Sequence, residues 1–396
     1  MAPEVAISWQ VGPNFGWGLF GLQIAVQLTL SGRATPVLLS DILNYKGDPV
    51  ERGMLEDIWA TNREAIRAMR TRMAPGSRVN MKIPVLAALG NNAARQFVHP
   101  DFHYLGSRTH GLVFLENSEI SPKAAEIFNA FDTLTAGSTW ARDVLRHRGV
   151  EKAETCLQGI DPALFHPAPK RGYLKDRFVI FSGGKLEFRK GQDIVLEAVK
   201  RFRKRHPETL LICLWDNPML SGLFVELLNR SPYHPRMADR VSAAGVDWTG
   251  MIADAGLPAD AVRMLPTVEN WILPQVMREA DVALFPNRCE GGTNMVAMQA
   301  MACGVPCILS ANSGHLDILA DGACLPLRQQ SPVDAAHPGL STQGWGESDI
   351  DEIIEALEVV YTDRETARTI GNAGADQMAA LSWKTQIESL ASLIGL

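Results

Sequence analysis

Residues suited to hold a charged small molecule concentrate in a few short stretches. The first is residues 290–299, Glu-Gly-Gly-Thr-Asn-Met-Val-Ala-Met-Gln. Gly291 and Gly292 free the backbone just before a helix-compatible run, for which Thr293 or Asn294 is a good N-cap. A helix start preceded by glycines offers N–H groups and the positive dipole end to an anion. It is a phosphate cradle by mechanism, although it matches no P-loop spacing. Glu290 stands beside it. A carboxylate there would repel a phosphate, so a hydroxyl-rich group such as a sugar is its expected partner. The same residues also fit a plain strand-turn-helix with an exposed glutamate. Gln299 lies where a second carboxylate might be sought.

The second stretch is residues 181–191, Phe-Ser-Gly-Gly-Lys-Leu-Glu-Phe-Arg-Lys-Gly. Glycines such as Gly184 let the chain turn close to a ligand. Lys185, Arg189 and Lys190 fall within six residues. A diphosphate needs such charge, because its own charge grows as an attached sugar departs. A loop of solvated basic side chains explains the residues equally well. The third stretch is residues 12–18, Gly-Pro-Asn-Phe-Gly-Trp-Gly. Gly16, Gly18 and Gly21 formally fit G-x-G-x-x-G, with Asp41 at the distance of a ribose-binding acid. The preceding strand stops near Trp9, too early for a tight dinucleotide turn. A dinucleotide site, a tight turn without function and contact with another phosphate ligand all stay open.

Other groups are weaker. His99, His103 and His110 lie in a loop-like stretch, and Glu116 with Asn117 follows an apolar strand, where ligand groups are expected. Each alone is more often a surface or hydrogen-bonded residue. Asp349-Ile-Asp351 has the D-x-D form used to hold a metal on a nucleotide sugar, but Ser348 before it reads better as a helix cap with acidic first-turn residues. No metal site is expected, because histidines and cysteines show no ligand spacing. No nucleophile signature of the G-x-S-x-G type is present. The six cysteines contain no C-x-x-C pair and read as buried thiols of a reducing, cytoplasmic compartment.

The elements that must position these groups are short apolar strands alternating with helical patterns. Strands are expected at 5–9, 36–40, 84–89, 111–115, 133–136 and 154–157, and a first helix at 19–31. Residues 161–169, Asp-Pro-Ala-Leu-Phe-His-Pro-Ala-Pro, break the pattern. It restarts with strands at 177–182, 210–214, 262–265, 282–285 and 306–310. Helices at 348–361, 364–380 and 383–394 close the chain. This is α/β: two doubly wound parallel-sheet domains facing a cleft. The expected domains are 1–165 and 170–380, with 381–396 a helix packing back across the junction. Ligands in such sheets sit beyond the carboxyl ends of the strands.

The bulk composition agrees. The chain has 396 residues, 46% hydrophobic and 21% charged, with net charge -6. That suits two globular domains and excludes disorder. No block of like charge points to nucleic acid; the basic run at 200–205 reads as a solvated helix end. No apolar stretch reaches membrane-spanning length, and the N-terminus lacks a secretory pattern. A cytoplasmic location is expected, and contact with the inner face of a membrane is compatible with it.

Taken in order, these motifs resemble the retaining, GT-B-fold glycosyltransferases of family four. The glycine-rich turn is Gly16-Trp-Gly18. The junction segment is residues 137–145 with 159–167, which contain Gly-Ser-Thr-Trp and Gly-Ile-Asp. The family's Gly-Arg-Leu and Lys-Gly are matched by Gly184-Lys-Leu186 and Lys190-Gly191. Its glutamate followed by Glu-Ala-Met-Ala-x-Gly-x-Pro is matched by Glu290 and by residues 299–306, Gln-Ala-Met-Ala-Cys-Gly-Val-Pro.

The resemblance implies Rossmann-like domains, a nucleoside diphosphate sugar as donor substrate, no required metal or other cofactor, and a sugar, lipid-linked or protein acceptor. Lys185 and Lys190 would hold the donor diphosphate. Thr293, Asn294, Met295 and Val296 would offer it backbone N–H groups. Glu290 would contact hydroxyls of the transferred sugar, Gln299 would replace the ribose-gripping glutamate, and Gly16 to Gly18 would lie against the diphosphate. The chain departs from the pattern in three ways. One extra residue separates Glu290 from Gln299, a glutamine replaces glutamate, and the usual N-domain histidine lacks a clear counterpart. His110 or Glu116 are its candidates, Glu116 ahead. An epimerase or phosphorylase on the same fold, and a degenerate sugar-nucleotide-binding protein, are the competing readings.

Overall fold

The computed structural model describes residues 2–13, 15–40, 42, 48–74, 76–96, 102–217, 220, 222–333 and 341–396. Asp41 and His99 lie outside the described residues. The chain forms two compact units. The first comprises Met1–Gly159, Glu269–Trp271 and Leu381–Leu396, and the second Ile160–Val268 and Ile272–Ala380.

The first unit is built on six parallel strands: β1 (Glu4–Ile7), β2 (Thr35–Leu38), β3 (Val85–Leu89), β4 (Thr109–Val113), β5 (Thr133–Ala136) and β6 (Ala153–Thr155). Their order is β2-β1-β3-β4-β5-β6. Strand β3, Val-Leu-Ala-Ala-Leu, is buried at every position, as expected of a parallel sheet covered on both faces. Helices α1 (Gly16–Ser31), α2 (Pro49–Thr71) and α3 (Thr139–His147) belong to this unit. Ten residues of α1 between Gly18 and Leu28 are buried. So the helix is apolar nearly all round, as a helix enclosed by neighbours should be.

The second unit repeats the plan with β7 (Phe178–Gly183), β8 (Thr209–Leu214), β9 (Val262–Met264), β10 (Val282–Phe285), β11 (Cys307–Ser310) and β12 (Leu325–Leu327). The order is β9-β8-β7-β10-β11-β12, all parallel. The sequence reading missed β12, where Leu-Pro-Leu is too short to show a period. Helices α4 (Gln192–Arg203), α5 (Met295–Ala302), α6 (Ile350–Thr362) and α7 (Arg364–Ala380) follow in chain order. In the basic run at 200–205, at the end of α4, Lys200 and Arg201 pair with Glu197 and Arg205 with Glu358.

The last helix, α8 (Trp383–Ile394), belongs to the first unit and packs on α1. Ser382 caps it by accepting from the Thr385 amide. The Phe20 and Trp383 rings lie 5.8 Å apart. Gly159 has no room for a side chain, since a Cβ would come within 2.6 Å of the Trp383 backbone. All six cysteines are buried thiols.

Candidate functional site

The second unit reverses its strand order between β7 and β10. Strands β8 and β9 run out to one side of β7, and β10 to β12 to the other. Loops that leave such a switch point diverge and open a crevice at the carboxyl edge of the sheet. Both basic and acidic motifs arrive here. Residues 184–191 follow β7, and residues 286–294 follow β10.

The two loops touch. Gly191 has φ +70° at the end of a 3-10 turn, Phe188–Lys190, and a Cβ there would meet the Pro286 carbonyl oxygen at 2.5 Å. Glycine is required both by that conformation and by that contact. Gly183 is tight for another reason, because a Cβ would meet Val296 Cγ1 at 2.7 Å. Gly184 takes φ +127°, which an L side chain rarely adopts. Hence β7 can end directly against the start of α5.

Glu290 is buried, and its carboxylate is held by cations of the first loop. Lys190 Nζ lies 2.5 Å from Oε1 and Arg189 Nη1 3.5 Å from Oε2. Asn287 Nδ2 also donates to Oε1. Burial alone would raise the Glu290 pKa, but Lys190 and Arg189 outweigh it and hold the group below the usual carboxylate range. Arg189 is shared with Glu187, at 2.7 Å. This differs from a loop of solvated basic side chains, one of the two readings of these cations. Lys190 and Arg189 are already matched to carboxylates, because unpaired charges at this depth would be costly. Nor is Glu290 an exposed turn residue. Lys185 sits half-buried in the same loop.

The turn from Gly291 to Thr293 is buried and leads into α5. Asn294, not Thr293, is the N-cap; it takes φ +60° and its side chain accepts from the Ala297 amide. Thr293 instead turns inward, its hydroxyl against Met298 Sδ. Met295 and Val296 form the first turn and are half-buried. Gln299 lies inside the helix and is buried.

Several structural residues here were not singled out from the sequence. Arg288 is fully buried and grips both carboxylate oxygens of Asp193, at 2.8 and 2.7 Å. It also reaches Glu347 at 2.8 Å and the Phe188 carbonyl at 2.7 Å. Its guanidinium stands 4.0 Å over the Phe188 ring. Burial would raise the Asp193 pKa, but Arg288 more than reverses that. Arg288 thereby ties the loop after β10 to the loop after β7. A second clamp is the polar run after β11, residues 310–315. Ser313 Oγ accepts from the Glu290 amide at 2.8 Å, and the Gly314 amide donates to the Glu290 carbonyl at 2.9 Å. That run, Ser-Ala-Asn-Ser-Gly-His, was visible as polar residues at a strand end.

The first unit holds the remaining candidates. Gly16, Trp17 and Gly18 are not a loop: they form the first turn of α1, three residues earlier than expected. A Cβ on Gly18 would meet the Gly12 carbonyl at 2.5 Å, and one on Gly21 would meet Trp9 Nε1 at 2.7 Å. These two glycines therefore serve packing of the chain against itself. His110 is the second residue of β4, at the end of the strand opposite to where ligands gather, and is buried. Its Nδ1 lies 2.8 Å from Thr133 Oγ1, and burial pushes its pKa down to about 4. That placement argues against a reactive role. Glu116 is three residues past β4, with its amide donating to Asn91 Oδ1 at 2.7 Å. Asn117 is held by the Asn91 side chain at 3.0 Å. His103 is an exposed residue of a short strand, Phe102–Leu105.

Asp349 caps α6, its carboxylate accepting from the amides of Asp351 and Glu352, in place of Ser348. Among the described residues no group of three or more His, Cys, Asp or Glu side chains could hold a metal ion. No helix among them is long and apolar enough to cross a membrane.

Comparison with known proteins follows this geometry. Residues 177–338 match the family described as glycosyl transferases group 1. D-inositol 3-phosphate glycosyltransferase of Paenarthrobacter aurescens is 26% identical over 252 residues, covering 62% of this chain and 52% of that protein. GDP-mannose-dependent alpha-(1-6)-phosphatidylinositol monomannoside mannosyltransferase of Mycolicibacterium smegmatis is 27% identical over 250 residues, covering 60% and 54%. The chain spans about half the length of the curated relatives it matches. Sucrose-phosphate synthase of Thermosynechococcus elongatus superposes with a TM-score of 0.66 at 16% identity, covering 100% of this chain and 98% of that one. HepE of Anabaena, in complex with UDP and glucose, gives 0.64 at 15% identity, covering 99% of each. The fold is that of the GT-B glycosyltransferases, two parallel-sheet α/β units.

Proposed function

We propose that this chain, whose residues 177–338 form a glycosyl transferases group 1 domain, moves a sugar from a nucleoside diphosphate sugar to an acceptor hydroxyl with retention of configuration. The observation that carries this is the contact of Lys190 with Glu290 at 2.5 Å, directly before a helix start capped by Asn294. A nucleoside diphosphate sugar presents an anionic diphosphate joined to a hydroxyl-rich ring. The turn offers a cation, a helix N-terminus and a carboxylate within one short span. Those are the groups such a molecule needs.

In this reading Lys185, Arg189 and Lys190 hold the diphosphate with the backbone N–H groups of Thr293 to Val296, beside Gly184, Gly291 and Gly292. Glu290 accepts from sugar hydroxyls, and Gln299 from the ribose. When the diphosphate arrives, Lys190 can face it while Asn287 and Arg189 keep Glu290 satisfied. The bond from the anomeric carbon to the diphosphate breaks, and the acceptor oxygen bonds to that carbon on the same face. The acceptor proton goes to the departing phosphate oxygen, so no protein nucleophile is needed. Fixed cations and N–H dipoles stabilise the growing charge, which is what makes a metal unnecessary. The relatives named above support a phosphorylated or lipid-linked polyol or sugar as acceptor, and the reaction is proposed for the cytoplasm or its membrane face.

The test is a thermal-shift and calorimetric panel of nucleoside diphosphates and their sugars, followed by product analysis with an acceptor set. A ligand at a hundred times its Kd should stabilise the protein by about 2.7 kcal/mol. NMR of the product reads the anomeric configuration, and a chelator control reads the metal requirement. Absence of any nucleoside diphosphate binding, or sugar interconversion without an acceptor, would refute the transferase reading.

A further inference from the structure

We propose that His315 is a positioning residue for the donor turn, acting through Asn294 to aim the first N–H groups of α5. The inference rests on the donor-site reading above. It concerns a residue that none of the sequence motifs contains.

His315 is wholly buried in the short turn that follows β11, yet both ring nitrogens are engaged. Nε2 lies 2.9 Å from Asn294 Nδ2, and Nδ1 lies 2.9 Å from Ser310 Oγ and 3.2 Å from the Ser310 carbonyl. The direction of each bond follows from its neighbours. Ser310 Oγ donates to the Asn287 carbonyl at 2.7 Å, so toward the ring it must accept. Asn294 Oδ1 accepts from the Ala297 amide at 3.4 Å, so its amide group must donate. The ring is therefore neutral, with its proton on Nδ1 and a lone pair on Nε2. Burial favours that neutral form.

Asn294 is the residue on which this arrangement bears. Its backbone sits at φ +60°, a conformation uncommon outside glycine. Glycine would adopt it at less cost. It would lack the side chain that caps α5 on one edge and meets His315 on the other. The backbone angle of Asn294 sets where its own N–H and those of Met295 and Val296 point. In the donor-site reading these are the groups that meet the diphosphate. Fixing the amide from both edges holds that angle.

The same polar run also grips the rest of the turn. Ser310 and Asn312 reach the Asn287 carbonyl, the latter at 2.9 Å, while Ser313 and Gly314 bracket Glu290. Gly314 fits only because it lacks a side chain, as a Cβ would fall 1.8 Å from the Gly292 carbonyl. Residues 310–315 are thus a template pressed against residues 287–294, and His315 is its link to the helix start. A buried apolar residue would fill the same space without orienting Asn294.

The experiment measures UDP and GDP affinity by calorimetry, with melting temperature, for wild type, H315A, H315Q, N294G and the H315A/N294G double variant. Wild type should bind one nucleotide. If it binds neither of these nor any other nucleoside diphosphate, the transferase reading falls and this role with it. H315A and N294G should each weaken the bound nucleotide by about tenfold. The double variant should be no worse than the weaker single variant by more than about twofold, because both break one link. H315Q, which keeps an acceptor, should recover most of the affinity at a melting temperature as low as that of H315A. Unchanged affinity in N294G, multiplied effects in the double variant, or affinity that merely tracks melting temperature would overturn the proposal. If H315A does not fold, N294G and H315Q decide the matter by the same criteria.

Discussion

Replacing Arg288 by methionine tests whether the two loops of the site are held together by a buried charge. Arg288 is fully buried, and the Asp193 side chain it grips is 3% exposed. Methionine keeps much of the volume but leaves the buried Asp193 carboxylate without its ion-pair partner. Breaking a buried pair from one side costs about 3–5 kcal/mol. For a unit of this size each kcal/mol lowers Tm by roughly 2–4 °C, so a loss near 10 °C is expected. The pH dependence carries the sharper test. In the wild type, Arg288 holds the Asp193 pKa below its ordinary value against burial. That contribution is present above an unfolded pKa of about 3.9 and is lost only as pH falls through the lower folded value. In R288M burial, the largest effect on Asp193, is opposed only by the weaker contributions of Ser231 and His234, and the folded pKa rises above the unfolded one. The variant's deficit should therefore be small near pH 4 and grow toward pH 7. Thermal or urea melts across that range, with the D193N/R288M pair, provide the assay. The double variant should recover more than half of the lost stability at pH 7. A deficit independent of pH, or no recovery with D193N, would refute the account.

Lys190→Ala should weaken nucleoside diphosphate binding at least about tenfold by calorimetry, since a cation at the diphosphate is removed while Glu290 remains. Glu290→Gln should lower turnover about a hundredfold while changing the Kd of the bare nucleoside diphosphate by less than about threefold, because the bare nucleotide lacks the sugar it is proposed to contact. His110 is held neutral in the fold with a pKa of about 4, below an unfolded value of about 6.5. Its contribution to stability is present above that value and falls as pH drops toward 4, on the order of 3 kcal/mol in total. His110→Leu should flatten that acid slope in urea melts while leaving nucleotide affinity unchanged.

Eleven of the twelve central strands were legible from short apolar runs, because a parallel sheet covered on both faces demands such runs. Bounds moved by a residue or two where a polar or proline residue sat at a strand end, as at Pro84 and Pro306. The helix starting at Gly16 was placed late, because two glycines in its first turn look like a loop until the packing of Gly18 against Gly12 is seen. The strand-end stretches at 184–191 and 290–299 were recognisable as candidates to meet an anion, since glycines, cations and a capped helix start follow strands there.

The sequence alone determined the α/β plan, the two-unit organisation and the stretches that could meet an anion. All of these depend on local patterns of polarity and backbone freedom. Only the tertiary structure decided how the charges are matched. Glu290 meets Lys190 across a hundred residues of chain, Arg288 meets Asp193 across 95, and His315 meets Asn294 across 21. Such pairings have no periodic signal, because they arise where strands distant in sequence lie side by side. A buried arginine and a buried histidine read in sequence as ordinary polar residues. Their roles come from the desolvation that forces each charge or lone pair to find one partner, and that partner is fixed by the fold.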